Sequence, residues 1–166
     1  PGGYPCGIRL GQLGVRTLVV EKEFWGGVCL NVGCIPSKAL ITAGKRMEQI
    51  KKADVMGISV SGDVSIDMAK LQAWKGGIVE KLTNGVQMLL KANGAQRVVG
   101  TATITGPNAV EVESDGKKVV YTADNIVVAT GSRPIEIPGF SFADEPVLDS
   151  TKALALASVP KKLVVI

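Results

Sequence analysis

The stretch Gly26-Gly27-Val28-Cys29-Leu30-Asn31-Val32-Gly33-Cys34-Ile35-Pro36-Ser37-Lys38 decides how the chain is read. Cys29 and Cys34 stand five positions apart. A disulfide needs Cα atoms within about 7 Å. Five fully extended residues would part them by roughly 17 Å, and a regular helix by roughly 8–9 Å. The chain therefore has to bend between them, and Asn31 and Gly33 tolerate such bends. Cys34 then opens a helix that runs through Pro36, a residue suited to a first helical turn. A helix N-terminus stabilises an anion, so this position favours the Cys34 thiolate. The spacing supplies a bridgeable pair with one activated sulfur. Two buried inert thiols and half of a zinc site are the competing readings. Zinc sites take a tighter Cys knuckle plus two further ligands; this chain has no histidine and only Cys6 besides. No metal is expected.

Outward from that stretch the pattern is α/β. Gly2-Gly3 reads as a turn opening a helix. Gly7, Gly11 and Gly14 recur at helical spacing and leave one helix face nearly bare, suited to close packing on a sheet. Thr17-Leu18-Val19-Val20 reads as a short buried parallel strand ending at Glu21. Glu21 follows Gly3 by 18 residues. That matches the last glycine and the ribose-binding acid of a dinucleotide fingerprint, without its first two glycines and its first strand. Helices are expected over 35–54 and 67–93, the second closed by Asn93-Gly94. From Arg97 to Tyr121, short β-rich runs with turns at Gly106-Pro107-Asn108 and Ser114-Asp115-Gly116 predict an antiparallel meander. Ile126-Val127-Val128-Ala129 reads as another buried strand, stopped by Thr130-Gly131-Ser132. The chain is loop-like after Pro134, and Leu163–Ile166 begins a further strand. Cys6 reads as a small buried filler.

The bulk numbers narrow the function classes. The chain has 166 residues, 46% apolar and 20% charged, which is ordinary for a globular α/β domain. A net charge of +4, with lysines spread along the chain, argues against a nucleic-acid partner. No apolar run is expected to approach the roughly 18 residues of a membrane span. Pro1-Gly2-Gly3-Tyr4 has no initiator Met and no signal-peptide pattern, so the chain is expected to be processed or a piece of something longer. An odd number of cysteines, three, without a secretory pattern argues against a structural disulfide framework. A cytoplasmic location is expected, or a mitochondrial matrix one if the source is eukaryotic.

The cysteine stretch resembles the signature of the class I pyridine nucleotide–disulfide oxidoreductases. Leu30 and Ile35-Pro36-Ser37-Lys38 resemble the dihydrolipoamide dehydrogenase branch, where glutathione reductases carry Val and Val-Pro-Lys-Lys, and mercuric reductases Val-Pro-Ser-Lys. The resemblance implies a Rossmann-like FAD-binding domain: a parallel sheet plus an antiparallel meander, lacking its first strand. It would cover residues 1–150, with residues 151–166 opening an NAD-binding domain. It also implies Cys29 as interchange thiol and Cys34 as the thiolate facing the flavin. The implied FAD contacts are Gly2, Gly3, Glu21, Lys22, Gly26, Gly27, Cys29, Lys38, Ala102, Thr130, Gly131 and Ser132. Lys38 would sit beside the flavin ring. Ala102 stands where many relatives have Gly. Gly7 and Gly11 replace alanines usual in that helix. The implied reaction is dihydrolipoamide plus NAD⁺ to lipoamide plus NADH, with the NAD site outside these residues. The implied partners are a dihydrolipoyl group on a 2-oxo acid dehydrogenase complex or a glycine cleavage carrier, and a second subunit in a homodimer. That second subunit supplies a His-Glu pair in the family. The chain alone is expected to be inactive. Mercuric reductase and a non-catalytic flavin-binding fragment are the alternatives.

Overall fold

A computed structural model describes all 166 residues. In chain order the elements are α1 (Gly3–Gln12), β1 (Leu18–Glu21), α2 (Gly27–Val32), α3 (Cys34–Lys51), a 3₁₀ turn (Ala53–Met56), α4 (Met68–Ala92), β2 (Gln96–Val99), β3 (Thr101–Gly106), β4 (Ala109–Ser114), β5 (Lys117–Thr122) and α5 (Ser150–Leu154). They divide into two compact units, Pro1–Asn31 with Lys81–Arg133 and Val32–Glu80 with Pro134–Ile166. The expected α/β class, with parallel and antiparallel sheets, is what the chain adopts.

In the first unit β1 and β2 pair in parallel, Leu18 opposite Gln96 through Glu21 opposite Val99. This moves the start of the meander: the run from Arg97 was expected to begin it, yet Gln96–Val99 belongs to the parallel pair. The meander proper is β3-β4-β5. Parallel pairing joins residues far apart in sequence, so no local signal marks it. Two helix ends deliver the chain into these strands. Gly14 (φ +73°) and Gly94 (φ +77°) adopt left-handed conformations just past α1 and α4. Val15 N–H donates to the Leu10 carbonyl, and Ala95 N–H to that of Leu90, both at 3.0 Å. Each is a Schellman stop, which requires a left-handed residue that glycine adopts without strain.

The bare face of α1 is real but shorter than expected. A Cβ on Gly7 would lie 2.6 Å from Val19 Cγ2 and 3.1 Å from Leu90 Cδ2; one on Gly11 would lie 2.2 Å from the Asn93 carbonyl oxygen. Gly14 meets nothing within 4 Å and serves only the turn. The buried side chains here include Leu90, fully enclosed, and Val86, Ala95 and Val112. β4 and β5 are joined by Asp115 (φ +49°) and Gly116 (φ +73°), with Ser114 opposite Lys117. Two positive-φ residues make the tight turn whose twist matches a hairpin.

The run Ile126–Ala129 is not a strand here. Its residues form no ladder, and Val127 and Val128 are 62% and 65% exposed. Leu163–Ile166 likewise lies outside any strand and is exposed. In both places an apolar β-branched run lacks a hydrogen-bonded neighbour in the chain, and propensity alone does not make a ladder.

In the second unit, Gln72 and Lys75 of α4 hold the end of α5. Gln72 Nε2 donates to the Leu154 and Leu156 carbonyls at 3.1 and 2.9 Å, and Lys75 Nζ to that of Leu154 at 2.6 Å. Partial burial pushes the Lys75 ammonium below the ordinary lysine value. Pro36, Ala39 and Ala53 are buried. The helical stretch Gly27–Lys51 contains an 18-residue window with a mean hydropathy of 1.2, enough by length and composition alone to cross a membrane. That corrects the expectation that no run approaches such a length. The stretch is interrupted at Gly33 and carries the cysteine pair, which marks it as the helix of the redox segment.

Candidate active site

Cys29 and Cys34 are joined by a disulfide. Neither regular form could bridge them, and the chain solves this with two helices broken at one residue. α2 ends at Val32, Gly33 caps the next helix, and Cys34 is the first residue of α3. The bend falls at Gly33 alone. Asn31, expected to help the bend, lies inside α2 and does something else. Its Nδ2 donates to the Trp25 and Gly27 carbonyls at 3.0 and 2.9 Å, and its Oδ1 accepts from Thr83 Oγ1 at 3.1 Å. Ser37 Oγ donates to the Gly33 carbonyl at 2.6 Å, fastening the entry of α3. Cys29 is half-buried and Cys34 exposed. No acid lies in the first turn of α3, and a helix start favours an anion there. Lys38 is exposed, four residues on from Cys34 and so on the same helix face. Cys6 is a free thiol and half-buried, less enclosed than a core filler.

The expected nucleotide residues of the first unit gather at one end of the parallel pair. Gly7 packs on Val19 and Gly11 on Asn93, so α1 runs against the direction of β1 and its N-terminus points to the Glu21 end. Glu21 is half-buried, and its Oε1 accepts from the Glu23 and Phe24 N–H groups at 2.9 and 3.2 Å. Its carbonyl accepts from Gly100 N–H at 3.0 Å, which brings Gly100-Thr101-Ala102 beside it. Lys22 and Ala102 are exposed. The Ala129 Cβ lies 3.9 and 3.4 Å from where a Cβ on Gly2 and Gly3 would stand, so Thr130-Gly131-Ser132 leaves directly from the start of α1. Gly26 (φ +98°) and Gly27 (φ +71°) turn into α2, and a Cβ on Gly27 would sit 2.7 Å from the Pro1 nitrogen.

This end suits a phosphate-bearing nucleotide. Gly2 caps α1 with no side-chain bond, and the first turn holds no acid. Backbone N–H groups at a helix start with no side-chain acceptor favour an anion. Gly27 combines a positive φ with a close approach to the Pro1 nitrogen, a place that glycine fits and a larger residue does not.

Known proteins agree across the whole chain. The family pattern described as pyridine nucleotide-disulphide oxidoreductase matches residues 1–166. The chain is 54% identical over 166 residues to a dihydrolipoyl dehydrogenase of Bacillus subtilis, and 53% identical to one of Geobacillus stearothermophilus, covering 100% of this chain each time. A dihydrolipoyl dehydrogenase of Halobacterium salinarum is 45% identical over 170 residues. The chain spans 35% of the length of each of these relatives. Among solved structures, LpdA of Mycobacterium tuberculosis matches with a TM-score of 0.83 at 20% identity, over 96% of this chain and 36% of that one. The HOCl-induced flavoprotein disulfide reductase RclA of Escherichia coli matches at 0.76 and 22%, over 95% and 32%. These two share the fold. Bridged cysteines and a match that leaves no residue of the sequence outside it lead to one conclusion: the chain belongs to the pyridine nucleotide-disulphide oxidoreductase family.

Proposed function

We propose that the chain is the FAD-binding, disulfide-bearing N-terminal part of a dihydrolipoamide dehydrogenase. Residues 1–150 would form the flavin domain and residues 151–166 would open the NAD-binding domain. The observation that carries the reading is the Cys29–Cys34 bridge at the start of α3, in a chain 54% identical to a dihydrolipoyl dehydrogenase.

Gly2 and Gly3 would hold the pyrophosphate, Glu21 the adenosine ribose, Ala102 the adenine through its backbone, and Thr130-Gly131-Ser132 the far side of the cradle. Gly26, Gly27, Cys29 and Lys38 would line the flavin, with Lys22 at the rim. FAD, when bound, supplies a two-electron store between the cysteine pair and NAD⁺. The cysteines do the thiol chemistry. One thiolate of the dihydrolipoyl group attacks Cys29 Sγ, breaks the S–S bond and releases Cys34 as a thiolate. The second substrate thiol then displaces Cys29, so the substrate leaves as a cyclic disulfide and the pair holds its two electrons. The start of α3 stabilises the released Cys34 thiolate. Cys34 is the more exposed residue of the pair in this chain, and the flavin would cover it. The lipoyl group would come on the carrier domain of a 2-oxo acid dehydrogenase complex or a glycine cleavage carrier. A homodimer in the cytoplasm or mitochondrial matrix completes the reading.

The test is NADH formation from dihydrolipoamide by the full-length protein. Cys29→Ser and Cys34→Ser should each lower it by at least about 10³-fold, since disulfide exchange needs both sulfurs. The reduced Cys29→Ser protein should keep the long-wavelength band of a thiolate beside flavin, and Cys34→Ser should lose it. Wild-type turnover in either variant would overturn the reading.

A further inference from the structure

We infer that Thr83 and Asn31 form a clamp that positions Cys29 and so sets how readily the Cys29–Cys34 disulfide is reduced. The inference rests on the redox reading above and adds two positioning residues to it. α2 has six residues, far too few to hold a helix by itself. Its entry is the Gly26-Gly27 turn, both residues at positive φ. What ties the turn to the helix is the Asn31 carboxamide, which donates back to the carbonyls of Trp25 and Gly27. The third bond leaves the segment: Thr83, 52 residues further along on α4, donates its hydroxyl to Asn31 Oδ1 at 3.1 Å. All three bonds are partly buried, so each resists exchange with water better than a surface bond does.

Asn31 lies between the two sulfurs in sequence and neither residue carries redox chemistry. Their effect is on geometry. When the disulfide opens, the covalent link between the two helices is lost and the clamp is what keeps α2 in place. Reforming the bond requires Cys29 Sγ to return to Cys34, and an ordered α2 makes that closure less costly. Without the Thr83 hydroxyl, Asn31 Oδ1 loses a partner where water reaches it poorly. α2 loosens, the closed form loses its advantage, and the disulfide becomes easier to reduce.

The full-length, flavin-loaded protein is equilibrated in dithiothreitol buffers of graded redox ratio. There one dithiol gives two electrons and two protons to Cys29–Cys34 and becomes a cyclic disulfide. Alkylation and mass mapping then count the free thiols. Thr83→Val should shift the midpoint toward easier reduction by about threefold or more in the equilibrium constant. Thr83→Ser keeps the hydroxyl and should titrate as wild type. A wild-type midpoint for Thr83→Val overturns the inference, and so does a Thr83→Ser midpoint displaced as far as that of Thr83→Val. If Thr83→Val does not fold, Asn31→Asp, which keeps the acceptor but loses the N–H donors, should show the same shift, and an unmoved midpoint there overturns it equally. A wild-type protein whose Cys29 and Cys34 never interconvert between thiol and disulfide would instead bring down the redox reading, and this inference with it.

Discussion

The meander β3–β5 and the run Ile126–Ala129 are both rich in β-branched residues, and only the first becomes a sheet. In the meander every strand finds its neighbour within a few residues. Glu113 pairs with Lys118, Val112 with Val119, and the next strand returns through a two-residue turn. Asn108 Nδ2 closes the far end by donating to the Ala123 and Asp124 carbonyls. Ile126–Ala129 has equal propensity but no ladder partner among these residues, and its valines stand in solvent. Strand formation here follows the location of the hydrogen-bond partner, and composition only permits it.

Amide hydrogen exchange separates the two regions most widely. β4 amides should be protected over those of Val127 and Val128 by on the order of 10³-fold in the 166-residue chain, because opening free energies range from near zero in unpaired segments to the global value in core strands. In the full-length protein the gap should close. Equal protection in the short chain would mean the run finds a partner after all.

The next test is truncation of side chains. Val112 is 2% exposed, and Val112→Ala should cost about 2 kcal/mol in denaturant unfolding. Val128 is 65% exposed, and Val128→Ala should stay within about 0.5 kcal/mol in the same chain. A large loss at Val128 would show that the run is packed.

The smallest effect is on pH. The hydrogen bond and charge of Glu111 raise the Lys118 ammonium above its ordinary value of 10.5, with Glu113 adding to it. Lys118 Nζ stands 2.8 Å from Glu111 Oε1. A raised lysine value means the folded state holds its proton longer. The pair's contribution is complete below pH 10.5 and is lost as pH climbs through the raised value. Melting temperature should show a slight extra decline there, absent in Lys118→Gln. An identical profile in that variant would remove the pair from the account.

The same contrast explains what could be read from the sequence. The cysteine pair, the break near Gly33 and the helix starting at Cys34 follow from local chemistry, and so do the Asp115-Gly116 turn and the close approach at Gly7 and Gly11. Gly14 sits in the same spacing and was legible only as spacing: helical periodicity does not separate a packing glycine from a stopping one. β2 reads from sequence as part of the meander because its partner lies far off at Leu18–Glu21. Thr83 carries no local signal, since its bond reaches Asn31 across 52 positions. Asn31 reads as a bending residue because Asn has that habit in turns, whereas here its amide is committed to holding one.

The parallel pair also sets a clock during synthesis. Leu18 meets Gln96, so β1 leaves the ribosome 78 residues ahead of its mate. At the ordinary pace of translation that is an interval of about 4–16 s. Through it, the edge of Leu18, Val19 and Val20 that β2 will fill stays open, while α1 packs on the side where Gly7 lies flat against Val19. An unpaired apolar edge is an open invitation to neighbouring chains. The nascent chain is therefore most exposed to misassembly before the meander, which can close within its own short loops, has been made at all.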